Sequence, residues 1–202
     1  MIFWMKFYSH VRNKPNEVLA EMRIVMELKS ERLLLRPLGM RDLESVHEYA
    51  SDLENTKYMM YLPNESMEET ADFLRNTENE WGKREPDFYE FAICYEGRQV
   101  GAVSLYLEND GKTGELGWIL HKKYWNKGMI SEAAAVLIEF AGNERGVTHF
   151  IAYCDTENIG SYRVMEKLGM KRTAEHGGRK NKASQEERME YRYELFTESG
   201  DI

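Results

Sequence analysis

Along the chain, apolar positions switch between a period near two and a period near 3.6, and the changeovers mark the elements. Arg32–Leu38 is a short run of strand character ended by Pro37. Met40–Leu53 is helical, with Leu43, Val46, His47 and Ala50 on one face. Ser66 with Glu69 forms a capping box that opens a helix running to about Gly82. Phe88–Tyr95 and Val100–Leu107 read as strands joined through Glu96-Gly97-Arg98-Gln99. A second turn, Asn109-Asp110-Gly111-Lys112, leads into Glu115–Leu120, so three antiparallel strands sit mid-chain. Gly128 to about Gly146 is a long helix of high propensity, carrying Ala133, Ala134, Ala135 and Ala141. His149–Cys154 is a strand, Ile159–Leu168 a helix closed by Gly169, and Met189–Leu195 a final strand. The polar stretch Gly177–Ser184 is expected to be a mobile loop. The order predicts a mixed α+β architecture, a mostly antiparallel twisted sheet flanked by helices.

The N-terminal stretch stands apart. Residues 15–25 have the pattern of a short amphipathic helix opened by Pro15, and a new pattern starts at Met26. Residues 1–25 are therefore expected to be an extension outside the core fold, with 26–197 a single domain and 198–202 a tail. The extension is either an accessory or a docking segment, since Phe3, Trp4, Phe7 and Tyr8 are costly to leave exposed. Lys6, His10 and Arg12 interrupt the apolar start, which argues against a signal peptide. At 202 residues and 42% hydrophobic, the chain can bury one sizeable core. A net charge of −8 argues against general binding to nucleic-acid phosphate, and no apolar run approaches the ~20 residues of a membrane span. Cys94 and Cys154 give neither a disulfide framework nor metal-ligand spacing. No metal is expected, both thiols read as core residues, and a reducing cytoplasm fits this usage.

The chemistry-bearing segment is Leu120-His-Lys-Lys-Tyr-Trp-Asn-Lys-Gly128-Met-Ile-Ser-Glu-Ala133, a strand end, a glycine turn and a helix start. The first N–H groups of a helix lack internal partners and carry partial positive charge, so they seat phosphate. Gly128 lets the backbone come close, and Lys122 and Lys127 add charge. Many strand–helix junctions carry a glycine, so this segment alone is a weak sign; it is neither a P-loop nor a GxGxxG fingerprint. Downstream, Glu157-Asn-Ile-Gly-Ser-Tyr-Arg-Val-Met-Glu-Lys-Leu-Gly-Met170 follows a strand, and Asn158 fits a helix cap or a ligand contact.

Together, "SERLLLRPL", "ELGWILHKKYWNKGMISEA" and "ENIGSYRVMEKLGM" resemble the GNAT superfamily of acyl-CoA-dependent N-acetyltransferases, over about Glu27 to Leu195. The closest look is to its RimJ/RimL-type branch, named for ribosomal-protein N-terminal acetyltransferases. The resemblance implies a GNAT fold with acetyl-CoA as co-substrate, bound through the motif Q/R-x-x-G-x-G/A. Here Trp125 stands at the Q/R position, as is usual in that branch, Gly128 at the first glycine and Ile130, a departure, at the last position. It implies backbone contacts from Asn126, Lys127, Gly128, Met129, Ile130 and Ser131, contacts from Ile119 and Leu120 to pantetheine and thioester, and a cofactor contact from Asn158. The tyrosine that often serves as acid would fall at Met165, leaving Ser161 as the nearest hydroxyl and Tyr162 as a weaker candidate.

The implied reaction is direct transfer of acetyl to a primary amine, a protein N-terminal α-amine or a small-molecule amine, in a ternary complex. Near neutral pH an α-amine of pKa about 8 costs under about 1 kcal/mol to deprotonate, against roughly 4 for a lysine. A modest base therefore suffices for the former. Glu115 stands where this superfamily often puts its base; it also fits an exposed position of an alternating strand. His47 and His121 read as satisfied or surface histidines, His121 being near the site. Met59, Met60 and Tyr61, between the first two helices, are expected to line the acceptor groove. A monomer or homodimer acting without nucleic acid or membrane is expected. The alternative is an acyl-CoA-binding sensor with little or no turnover, which Met165 and Ile130 motivate.

Overall fold

The structure, a computed structural model, describes residues 26–108, 111–184 and 186–197. The helix expected over residues 15–25, the tail, and Asn109 and Asp110 lie outside them. A single eight-stranded sheet runs in the order β1-β2-β3-β4-β5-β6-β8-β7. Its strands are β1 (Leu28–Lys29), β2 (Leu33–Pro37), β3 (Phe88–Tyr95), β4 (Arg98–Leu107), β5 (Thr113–Leu120), β6 (His149–Asp155), β7 (Lys171–Lys180) and β8 (Glu187–Phe196). All neighbours are antiparallel except β5 and β6, which the crossover helix α3 (Met129–Arg145) joins in parallel. The expected α+β architecture is therefore the observed one.

One face carries α1 (Leu43–Ala50) and α2 (Met67–Trp81), packed through Val46, Tyr49 and Leu74 onto Ala92 and Ala102. The other carries α3 and α4 (Ile159–Lys167), where Ala133, Ala134, Leu137, Ile138 and Ala141 recur at helical spacing. They meet Phe91, Leu105, Phe150 and Met165 in the larger core, each large apolar side chain contributing about 1.5–3 kcal/mol.

Several expectations shift. The Met40–Leu53 helix divides into a 3-10 turn (Met40–Asp42) and α1, because Asp42 turns its carboxylate back onto Arg36 (2.6 Å) instead of facing solvent. The Ser66 hydroxyl accepts from Glu69 N–H (3.2 Å), but the Glu69 carboxylate takes the Glu65 N–H instead of closing the box on Ser66. Arg98 and Gln99 belong to β4, so the hairpin turn is only Glu96-Gly97, both at positive φ. The loop expected over Gly177–Ser184 is corrected most: its first half is the end of β7, an edge strand paired to β8 and exposed along nearly its whole length. With no buried face it shows no alternation, and its register shifts between His176 and Arg179, where Gly178 sits at φ 93°.

Candidate active site

The parallel partners β5 and β6 stay in register only from Thr113↔His149 to Leu116↔Ala152, although β5 runs on to Leu120 and β6 to Asp155. Beyond Leu116 they diverge, and the cleft between them opens into a cavity of about 960 Å³. His121 N–H bonds to the Val100 carbonyl (2.8 Å), and the Ile119 carbonyl abuts Gly101, where a Cβ would lie 2.4 Å from it. Odd-numbered main-chain groups of β5 thus face β4, while those of Trp118 and Leu120 point into the cleft. Ile119 and Leu120 both line the cavity, but Ile119's backbone groups belong to the sheet. The Leu120 carbonyl accepts from the Trp125 indole N–H (2.8 Å).

One end of the cavity is the loop from Tyr124 into α3. Asn126 (φ 60°) and Gly128 (φ 74°) both take the left-handed conformation, which turns the chain into the helix within three residues. Glu132 N–H makes the first bond of the helix, to the Gly128 carbonyl (3.1 Å). Met129, Ile130 and Ser131 therefore have N–H groups with no intrahelical partner, and they line the cavity with Asn126, Lys127 and Gly128. Ile130 does not disturb this turn, because its side chain is buried in the core. An open strand edge beside a helix start has the donor pattern that an amide-bearing arm with a pyrophosphate requires, so these residues fit acetyl-CoA.

Two other expected residues stand at the α4 side of the cavity. Asn158 caps α4, its Oδ1 accepting from Ser161 N–H (3.2 Å), and it also lines the cavity. The Ser161 hydroxyl accepts from the Trp118 indole (3.2 Å) and is hydrogen-bonded to Cys154. Burial pushes the Cys154 thiol up to about 12, so it is no nucleophile near neutrality. Met165 is wholly buried in the core, and Tyr162 packs edge-on against Tyr191. His121 is buried, its Nδ1 accepting from Lys123 N–H (3.2 Å) while Nε2 faces Glu48 (3.1 Å), a structural use. His47 is likewise satisfied, by Thr70 at 2.8 Å.

At the opposite end lies Glu115, partly buried on the α1/α2 face of the sheet. Burial pushes its carboxyl up to about 7, and Glu108 and Glu190 act in the same direction. Around it the cavity is lined by Met59, Met60 and Tyr61 and by Tyr58, Tyr106, Tyr153, Arg179 and Glu190. Arg179 pairs with Glu190 and donates to the Tyr58 carbonyl (2.8 Å), and Lys182 N–H donates to the Met59 carbonyl (3.0 Å). The β7–β8 hairpin and the α1–α2 connection are thereby tied together beside Glu115. Asn55, also in the wall, accepts at Oδ1 from Lys122 N–H (2.7 Å) while its buried Nδ2 lacks a partner among the described residues.

Sequence reasoning missed a buried pair behind the cavity wall. Glu90, only 4% exposed, accepts from the Tyr106 hydroxyl, and Tyr106 stands directly opposite Glu115 across β4 and β5. A lone carboxylate inside the apolar run FYEFAICY was the readable signal. Burial pushes Glu90 up to about 7, against the Tyr106 hydrogen bond. A carboxyl whose folded pKa is raised lends stability below its unfolded pKa, near 4.5, and forfeits it as pH rises through about 7. The melting temperature is therefore expected to fall between about pH 4.5 and about pH 7 and then to level off, and Glu90→Gln to flatten that slope and gain up to about 3 kcal/mol above about pH 7. Thermal unfolding of both proteins across this range measures it; parallel curves would assign the slope to other groups.

Residues 32–171 match the acetyltransferase (GNAT) domain family, which sets the class of protein: an acetyl-CoA-dependent acyltransferase. The chain belongs to the GNAT acetyltransferase family. It is 33% identical over 149 residues to "Uncharacterized N-acetyltransferase YnaD" of Bacillus subtilis (strain 168), covering 73% of this chain and 84% of that relative. It also superposes on an acetyltransferase (GNAT family) from Bacillus anthracis with a TM-score of 0.73 at 33% identity, over 85% of this chain and 98% of that one. RimL, a ribosomal L7/L12 α-N-protein acetyltransferase crystallised with coenzyme A, shares the fold at 15% identity, with a TM-score of 0.72 over 83% of this chain and 97% of that one. Among the described residues, no helix is long and apolar enough to cross a membrane, and no group of three or more His, Cys, Asp or Glu residues could hold a metal ion.

Proposed function

We propose that the protein transfers acetyl from acetyl-CoA directly to a primary amine in a ternary complex, with Glu115 as base. The observation that carries this reading is that one cavity is lined both by the helix-start residues Met129, Ile130 and Ser131 and by Glu115. Gly128, Met129, Ile130 and Ser131 hold the pyrophosphate through main-chain N–H groups, with Asn126, Lys127 and Asn158 beside them. Trp118 and Leu120 present the open strand edge to the pantetheine arm. When bound, acetyl-CoA supplies an activated thioester, and the attacking group is a neutral amine. Glu115 takes the proton that the amine loses; a carboxylate of pKa about 7 matches this duty near neutral pH. Ser161 is the hydroxyl assigned to the departing sulfur. Its role is a light one, since a thiol of pKa about 8.5 leaves as thiolate without full protonation.

A protein N-terminal α-amine or a small-molecule amine, the former as in the RimJ/RimL-type branch, is the acceptor class, and the cytoplasm is the compartment. The buried Met165 where the family often has an acid favours one second reading, an acyl-CoA sensor with little or no turnover. Calorimetry with acetyl-CoA and with CoA, followed by thiol release over peptides, polyamines and amino acids, separates the two. Binding with release is expected. Binding without release from any amine would favour the sensor, and no binding would overturn both.

A further inference from the structure

Beside the helix start, the β1–β2 hairpin places a charged strut against α3. Arg32 reaches across to α3, its Nε and Nη2 both donating to Oε2 of Glu132, at 2.8 and 2.6 Å. The second Glu132 oxygen takes the Ser30 hydroxyl (2.5 Å) and the Arg32 N–H (3.0 Å), so the carboxylate is held from four directions. These bonds keep the Glu132 carboxyl below its ordinary pKa against the opposing effect of burial, which is the largest single influence. Arg32 Nη2 also donates to the Lys127 carbonyl (3.1 Å), and a Cβ on Gly128 would meet this same nitrogen at 3.9 Å.

The Lys127–Gly128 peptide is the one that enters the helix. A trans peptide is planar, with its C=O and N–H pointing in opposite directions. Holding the Lys127 carbonyl on Arg32 therefore turns the Gly128 N–H away from the hairpin, toward the side lined by cavity residues. It also draws a carbonyl dipole away from a place where an anion must sit. Gly128, on the C-terminal side of this peptide, and Asn126, just before it, both take the left-handed conformation.

We propose that Arg32, oriented by Glu132, is a positioning residue for the pyrophosphate of acetyl-CoA: it fixes the Lys127–Gly128 peptide plane so that its N–H joins those of the helix start. The proposal rests on the acetyl-CoA reading above. Arg32 acts through the main chain, and a bidentate guanidinium fork suits a carboxylate and a carbonyl together in a way that a lysine does not.

Calorimetric affinities for acetyl-CoA and for S-acetylpantetheine, which lacks the pyrophosphate and nucleotide, test it on the full chain. Arg32→Ala is expected to weaken acetyl-CoA about tenfold or more and to lower the ratio of the two affinities by the same factor. Arg32→Lys should lie close to Arg32→Ala. Glu132→Gln, which keeps the guanidinium but loosens it, should lower the ratio in the same direction. If Glu132→Gln leaves the ratio unchanged or raises it, Arg32 touches the phosphate directly and the positioning role is wrong. Equal losses for both ligands, with a lowered melting temperature, would reduce the strut to a fold element and also overturn the proposal. Wild-type protein that fails to bind acetyl-CoA would instead sink the underlying reading, an outcome visible before any variant is made.

Discussion

Glu115→Gln is expected to lower acetyl transfer near pH 7 by about a hundred- to ten-thousandfold, the range spanned by a positioned general base. In the proposed role the carboxylate is the working form, and burial holds the carboxyl at about 7. Wild-type turnover at saturating amine should therefore rise with pH through about 7 and then level off, falling about tenfold per unit on the acid side. The glutamine variant has no such limb. Its deficit should shrink above about pH 9, where an α-amine of pKa about 8 arrives already neutral. Turnover against pH for the two proteins decides the matter: a constant ratio at every pH would remove Glu115 from proton transfer and leave it a shape-forming residue of the chamber.

Gly128→Trp carries the second large effect, a loss of acetyl-CoA affinity of about a hundredfold or more, because the new ring occupies the space against which the helix-start N–H groups open. Gly128 sits at φ 74°, so any side chain there also adds about 1–2 kcal/mol of backbone strain. Gly146 makes the control. It lies at φ 69° at the far end of the same helix, with nothing within 4 Å of an added Cβ. Gly146→Trp should show a similar fall in melting temperature, about 2–8 °C, with acetyl-CoA affinity intact. If calorimetry gives both variants the wild-type affinity, the pyrophosphate does not lie at this loop.

The contrast between what the sequence disclosed and what it withheld follows from where each element sits. The strands β3, β4 and β5 have one or both faces in the core, and α3 keeps five apolar residues on one stripe, so their periods were readable. The strand β7 is exposed along nearly its whole length and pairs on one side only, so KRTAEHGGRK has nothing to bury and no period to show. Gly128 and Asn158 were legible because a helix start is a local event. Tyr106, Tyr153, Arg179 and Glu190 were not, because they meet Glu115 only after four strands and a crossover bring them together. Arg32 lies within SERLLLRPL, yet its partner Glu132 is 100 residues away on α3.

The divergence of β5 from β6 has a thermodynamic consequence. Four residue pairs, Thr113↔His149 to Leu116↔Ala152, are all that ladder one half of the sheet to the other. A ligand lying between the cleft-facing edge of β5 at Trp118 and the far end of β6 completes hydrogen bonding that the β5–β6 ladder leaves undone. Occupancy and folding then draw on the same groups and are linked by mass action. At a free ligand concentration one hundred times Kd, binding adds about 2.7 kcal/mol to the stability of the native state. For a fold whose total margin is typically only about 5–15 kcal/mol, acetyl-CoA bound in the seam as proposed would add a sizeable share of that margin.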